Sequence, residues 1–199
     1  MTRTKHPLST QPVYVSIDIE ADGPIPGGNS MLSLGAAAFE LGSGNRTPID
    51  LYEVNLQPLP TATPDPDTMA WWHDPRQAAA WEYVQQNRRA PELAMRQFKG
   101  WLLRLPGKPV FVGYPATYDF MFAYWYLVTF TGFPTPFGFQ GLDIKTLAAA
   151  KLGIPFRESA KRNYPEKWFE GCPPHTHKAL DDAIGQGVLF VNIMRDVSR

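Results

Sequence analysis

The chain reads as an α/β protein: a central five-stranded mixed sheet, made of an antiparallel meander followed by parallel strands, with helices on both faces. Three features of the 199-residue sequence carry that reading. Val13 to Glu20 alternates apolar and polar residues with a period of two, as a half-buried strand does. Two further strand-like runs follow at turn-length separations, the pattern of a meander. From Asp65 onward, segments of helix length alternate with short apolar strands, an order that packs helices on the faces of one sheet.

Taken in order, the first strand ends at Glu20 and meets Gly23-Pro24-Ile25-Pro26-Gly27-Gly28-Asn29, a dense turn signal. Met31 to Phe39 reads as the second strand, and its Gly35-Ala36-Ala37-Ala38 would let another element approach closely. Ser43-Gly44-Asn45 signals the next turn, and Leu51 to Leu56 the third strand. Beyond Pro58 the character changes. Asp65 starts one helix, Asp74-Pro75 a second through about Arg88, and Ala90-Pro91-Glu92 a third through about Leu105. Leu93, Phe98, Trp101, Leu102 and Leu105 form the apolar stripe of that third helix.

Pro109 to Gly113 is a short apolar run between turn residues, hence a buried fourth strand. An apolar helix is expected from Asp119 to about Thr129, a brief fifth strand at Leu142-Asp143-Ile144, and a short helix from Lys145 to Leu152. Arg157 to His177 has no periodicity, is mildly basic, and has the length of a functional loop. A last helix runs from Thr176 to about Arg195, burying Leu180, Ile184, Val188, Val191 and Met194.

Composition bounds the function. A length of 199 residues supports one well-buried domain, taken as residues 1–199 with its core at about 13–195. With 44% hydrophobic and 19% charged residues, wholesale disorder is excluded. A formal net charge of zero disfavours a protein that grips a long nucleic-acid backbone by charge alone. It favours a short substrate, or a site whose positive charge comes from bound metal. The single cysteine, Cys172, can form neither an intramolecular disulfide nor a thiolate zinc site. The polar N-terminus lacks the apolar core of a secretory signal, and Phe120 to Phe130 is too short to span a bilayer. The expectation is a soluble, cytoplasmic protein with no membrane partner.

The alternation that makes the first strand also puts Asp18 and Glu20 on one face, about 6.5 Å apart, twice the rise per residue. Such a pair suits two ligands of one divalent cation, which would also neutralise their repulsion. It equally suits a strand end whose acids face water. Asp119 stands at the head of a helix, where Asp also serves as an N-cap. The run His177-Lys178-Ala179-Leu180-Asp181-Asp182 adds an imidazole and two further acids.

Together and in this order, these segments resemble the DnaQ-like superfamily of 3′-to-5′ exonucleases. The match is to the DEDD type with a histidine, the branch of ribonuclease T and oligoribonuclease, and it spans Val13 to about Met194. The resemblance implies a ribonuclease H-like fold. Its first motif, Asp-x-Glu after an apolar strand, falls on Asp18 and Glu20; its second falls on Asp119. Its third, His followed five positions later by Asp, falls on His177 and Asp182, with Asp181 the rival acid and Asp143 a supporting one. The implied cofactor is Mg²⁺ or Mn²⁺, two ions held by Asp18, Glu20, Asp119 and Asp182. His177 would take the proton of the attacking water, releasing a nucleoside 5′-monophosphate.

The implied partners are the 3′ ends of single-stranded RNA or DNA, with short RNA favoured and a homodimer allowed. Substrate contacts are expected from Ala21, from Tyr114, and from either Trp71 or Trp72. Adjacent helical residues point about 100° apart, so at most one of these tryptophans stacks on a base and the other joins the core. Many members carry His-Asn before the second-motif Asp; here Gly113-Tyr114-Pro115-Ala116-Thr117-Tyr118 precedes Asp119, a departure that bears on substrate preference. His175 is read as an ordinary surface residue and Asp22 as a turn residue. The rival readings are a domain of this fold that binds nucleic acid without cleaving it, and a phosphoesterase of small nucleotides.

Overall fold

The computed structural model describes residues 11–42 and 45–197. The polar stretch 1–10 and Ser43-Gly44 of the second expected turn lie outside the described residues. The sheet has five strands in the order β3-β2-β1-β4-β5. They are β1 (Pro12–Ala21), β2 (Met31–Phe39), β3 (Asp50–Asn55), β4 (Lys108–Gly113) and β5 (Gly141–Asp143). β1 pairs antiparallel with β2 and β2 with β3, whereas β4 runs parallel to β1 and β5 parallel to β4. The meander and the parallel half therefore meet on β1.

The helices are α1 (Pro66–Trp72), α2 (Ala78–Val84), α3 (Pro91–Leu102), α4 (Ala116–Thr131), α5 (Ile144–Leu152) and α6 (Ala179–Val197). One face of the sheet is the apolar side of β1, namely Val13, Val15, Ile17 and Ile19, packed under α3 and α4 through Phe98, Trp101, Phe122 and Tyr126. The other face carries α5 and α6, through Ile144, Ala148, Val188, Phe190, Val191 and Ile193. Among the described residues no helix is long and apolar enough to cross a membrane.

Several boundaries differ from expectation for identifiable reasons. The helix expected over 75–88 is a 3₁₀ turn at Pro75–Gln77 followed by α2, and the chain turns out at Asn87, where φ is 50°. α3 stops at Leu102, and Leu93 is 49% exposed, so the buried stripe is Ala94, Met95, Phe98, Trp101 and Leu102. Ile144 belongs to α5 because Asp143 caps that helix, accepting from the Thr146 N–H at 2.6 Å. α4 begins at Ala116, which moves Asp119 off the N-cap and into the first turn, where it is buried. The loop 157–177 contains two 3₁₀ turns, Lys161–Asn163 and Glu166–Phe169. α6 starts at Ala179, three residues late, and His177 precedes it with a left-handed φ of 55°.

The small residues of β2 act as expected. A Cβ on Gly35 would lie 2.2 Å from the carbonyl carbon of Ala179, so only glycine lets the start of α6 rest on the sheet there. Gly35 is paired with Asp18 in the β1–β2 register. That contact brings the first turn of α6 over the acidic end of β1.

Candidate metal centre and its imidazoles

Three chain segments converge at the carboxyl end of β1. β1 supplies Asp18 and Glu20, α4 supplies Asp119, and α6 with its preceding loop supplies His175, His177 and Asp182. One carboxylate oxygen from each of Asp18, Glu20 and Asp182 lies within 4.8 Å of the other two. Asp119 is not within that spacing, but its charge acts on both Asp18 and Glu20. It is 4% exposed, and its carboxylate accepts the N–H of Ile19, the residue between the two β1 acids. Gly113 clears space for it, since a Cβ there would sit 3.3 Å from Asp119 Oδ2.

The electrostatics of this cluster favour a missing positive charge. Burial, and then the charges of Asp119, Glu20 and Asp182, raise Asp18 well above the usual carboxylate range. Burial, then Asp182 and Asp119, do the same to Glu20. Burial pushes Asp119 up to about 8, against the opposing pull of its hydrogen bond from Ile19 and of the Lys161 ammonium. Each of these shifts measures how poorly the bare site tolerates the ionised form. Asp182 adds a geometric sign: its Oδ2 is buried and has no hydrogen-bond partner. A buried carboxylate oxygen left unsatisfied is costly unless a cation completes it. An all-oxygen donor set of this kind fits Mg²⁺ or Mn²⁺.

The two adjacent acids of the third motif part company. Asp182 Oδ1 accepts from the Thr176 N–H at 3.1 Å and lies 2.8 Å from His175 Nδ1, and the residue belongs to the cluster. Asp181 turns away to accept from the Thr176 hydroxyl at 2.9 Å. His177 stands at the rim with its ring edge-on to Trp71 at 5.0 Å and to His175 at 4.2 Å. Partial burial, then the neighbouring His175, hold its imidazole below the usual histidine range, opposed by Asp182. That shift favours the neutral form, the one able to accept a proton.

The expected substrate contacts divide. Trp71 is 38% exposed and lies beside His177, whereas Trp72 is buried against Leu32, Ala80 and Val84. Trp72 also donates its indole N–H to the Ala21 carbonyl at 2.9 Å, so the Ala21 carbonyl serves the fold. Tyr114 lies under the Lys161 ammonium, 4.7 Å from its ring centroid. Asp143 is not among the clustered acids: it caps α5 and accepts the N–H of Ala116 at 2.9 Å, tying β5 to the start of α4. Asp22 accepts the Ser30 N–H within the turn, as read.

Two residues near the cluster escaped the reading of the sequence. Gln186 donates its Nε2 to Asp18 Oδ1 at 2.5 Å, while its own Oε1 is buried without a partner. It lies one helical turn after Asp182, and that i, i+4 spacing was the available signal. His175 was read as an ordinary surface residue but lies 2.8 Å from Asp182 Oδ1; its signal was the spacing His175-x-His177. Both line a cavity of about 200 Å³ with Lys161, Cys172 and Pro173. A larger cavity of about 440 Å³ lies at the other end of β1, lined by Gln11, Pro12, Tyr14, Glu40 and Gly107, away from the carboxylates.

Comparison with known proteins is consistent with this geometry. Residues 13–194 match the family described as the 3′-5′ exoribonuclease Rv2179c-like domain. The chain is 33% identical over 187 residues to the 3′-5′ DNA exonuclease Cap18 of Escherichia coli, covering 89% of both chains. Among solved structures it is similar to the nuclease domain of 3′hExo, a DEDDh family member bound to rAMP, with a TM-score of 0.64, 12% identity and 92% of both chains covered. It is also similar to S. pombe Pop2p in its Mg²⁺- and Mn²⁺-bound form, with a TM-score of 0.64, 14% identity, and 90% and 82% of the two chains covered. These two likenesses bear on the fold, and it is the ribonuclease H-like one.

Proposed function

The chain belongs to the family of Rv2179c-like 3′-5′ exoribonuclease domains, and from that premise we propose that residues 13–195 act as one divalent-metal-dependent exonuclease domain on single-stranded nucleic acid. The observation that carries this reading is the meeting of Asp18, Glu20 and Asp182 from two distant segments, with the buried Asp119 raising the charge density of the same spot. Asp18, Glu20, Asp119 and Asp182 would hold Mg²⁺ or Mn²⁺, two ions in all, and Pop2p is known in a form binding those two metals. Bound there, the metal offsets phosphate charge and makes water more acidic.

The chain's own groups do the rest. His177, favoured in its neutral form, accepts the proton of a water whose oxygen bonds to phosphorus as the bond to the 3′ oxygen breaks, and the leaving 3′ oxygen takes a proton from solvent. The products are a nucleoside 5′-monophosphate and a strand shorter by one residue with a free 3′ hydroxyl. Gln186 holds Asp18 in one orientation through its amide. Trp71, the exposed member of the tryptophan pair, offers a face on which the terminal base stacks, and Tyr114 lines the approach.

The family description favours RNA, and the 33%-identical E. coli relative is a DNA exonuclease. Digestion of 5′-labelled RNA and DNA oligomers of several lengths, with Mg²⁺, with Mn²⁺ and with chelator, decides between them. A metal-dependent ladder shortening from the 3′ end is expected. No cleavage of any polymer by the folded protein would instead favour the binding domain or a small-nucleotide phosphoesterase.

A further inference from the structure

Asp182 is shared. It belongs to the carboxylate group with Asp18 and Glu20, and also to a second group in which one donor atom each of His175, His177 and Asp182 lie within 4.8 Å of one another. We propose that this second group is a zinc site, distinct from the carboxylate site and competing with it for Asp182.

The donor chemistry separates the two. Two imidazoles and one carboxylate, with a fourth position left to water, are the ligands of tetrahedral Zn²⁺, whereas Mg²⁺ takes oxygen ligands and dehydrates reluctantly. Zn²⁺ bonds of about 2.0 to 2.2 Å space tetrahedral ligand atoms roughly 3.4 Å apart. His175 Nδ1 and Asp182 Oδ1 already stand 2.8 Å apart, and the two imidazole centroids 4.2 Å. A rotation of the His175 side chain would bring the pair to that spacing. The His175 side chain is 61% exposed and free to make it, while that of Asp182 is 3% exposed and fixed.

Asp182 Oδ2, buried and unpartnered, is a lone-pair donor for which the two sites compete. The left-handed backbone at His177 turns the chain beside His175.

Zinc held there occupies the imidazole nitrogen with which His177 would accept a proton and engages a carboxylate of the neighbouring site. Zinc is therefore an inhibitor of the magnesium-supported reaction. That inhibition rests on the exonuclease reading above; zinc binding itself does not.

The test is titration of Zn²⁺ alone into the metal-stripped full chain against a competing chromophoric chelator, for the wild type, His175→Gln and Asp18→Asn. The wild type should hold one equivalent. His175→Gln should weaken it by about 100-fold, the upper range for disturbing a metal's ligand shell, and Asp18→Asn should leave it unchanged. Equal affinity in wild type and His175→Gln, or loss of the site in Asp18→Asn, would overturn the proposal. In parallel, the zinc concentration that halves the magnesium-supported rate should be higher for His175→Gln than for the wild type. An unchanged value would overturn the inhibitory role. Should the wild type cleave nothing, the exonuclease reading fails while the titration still decides the zinc site.

Discussion

The two faces of β1 come from one alternating run and behave in opposite ways. Val13, Val15, Ile17 and Ile19 are all at most 5% exposed and pack against α3 and α4. Tyr14, Ser16, Asp18 and Glu20 face α6, beginning with an aromatic contact between Tyr14 and Phe190 at 5.0 Å and ending in repelling carboxylates. The first face stabilises the fold by removing apolar surface from water. The second works against the fold at its acidic end, and stability is given up where chemistry is placed.

The sharpest way to break this comparison is Asp18→Asn. If the acidic face serves the reaction, turnover should fall by about a thousandfold or more, the equivalent of some 4 kcal/mol of lost transition-state stabilisation. The same variant in chelator should melt no lower than the wild type, because it removes one repelling charge. A melting temperature that drops with activity would make Asp18 a structural residue. On the opposite face, Ile17→Ala should cost about 2–5 kcal/mol in urea unfolding while any folded protein keeps its metal affinity. Loss of metal affinity at full fold would mean that the two faces are not separable.

The pH dependence of the metal-free protein sharpens the comparison further. Asp18, Glu20 and Asp119 all have folded pKa values above their ordinary ones, so between about pH 4 and pH 8 the folded state holds more protons than the unfolded state. Stability should therefore decline as pH rises through that window. Asp22 is raised in the same sense, and His177, held low, opposes it. Saturating Mn²⁺ should flatten the decline and raise the melting temperature at pH 8; thermal scans with and without chelator test both. The smallest expected effect is that of Trp71→Ala, about 1–3 kcal/mol in KM with kcat held, the worth of one stacked base. A kcat loss instead would mean that Trp71 acts by steadying His177, whose ring it touches.

Much of this molecule is legible from local pattern. The strand period put Asp18 and Glu20 on one side, the Gly35-Ala36-Ala37-Ala38 run announced a close neighbour, and Asp65 and Pro91 marked helix starts that the structure has. Helix ends were misjudged wherever a turn residue rather than an apolar period decided them, as at Asn87 and Asp143. Likewise Leu93 fits an apolar count and yet faces water, since the stripe follows the packing of α3 on α4.

The sequence by itself determined the fold class, the strand that bears the two leading acids and the order of the three motifs, because each depends on periodicities of two or 3.6 residues along one segment. Only the tertiary structure decided which of Asp181 and Asp182 turns inward, which tryptophan is exposed, and that Gln186 and His175 stand beside the carboxylates. Those outcomes depend on where α6 lands on β2 at Gly35 and on how the chain turns at His177. Contacts between residues up to 168 positions apart, such as Gln186 with Asp18, are set by packing and not by any neighbour in the chain.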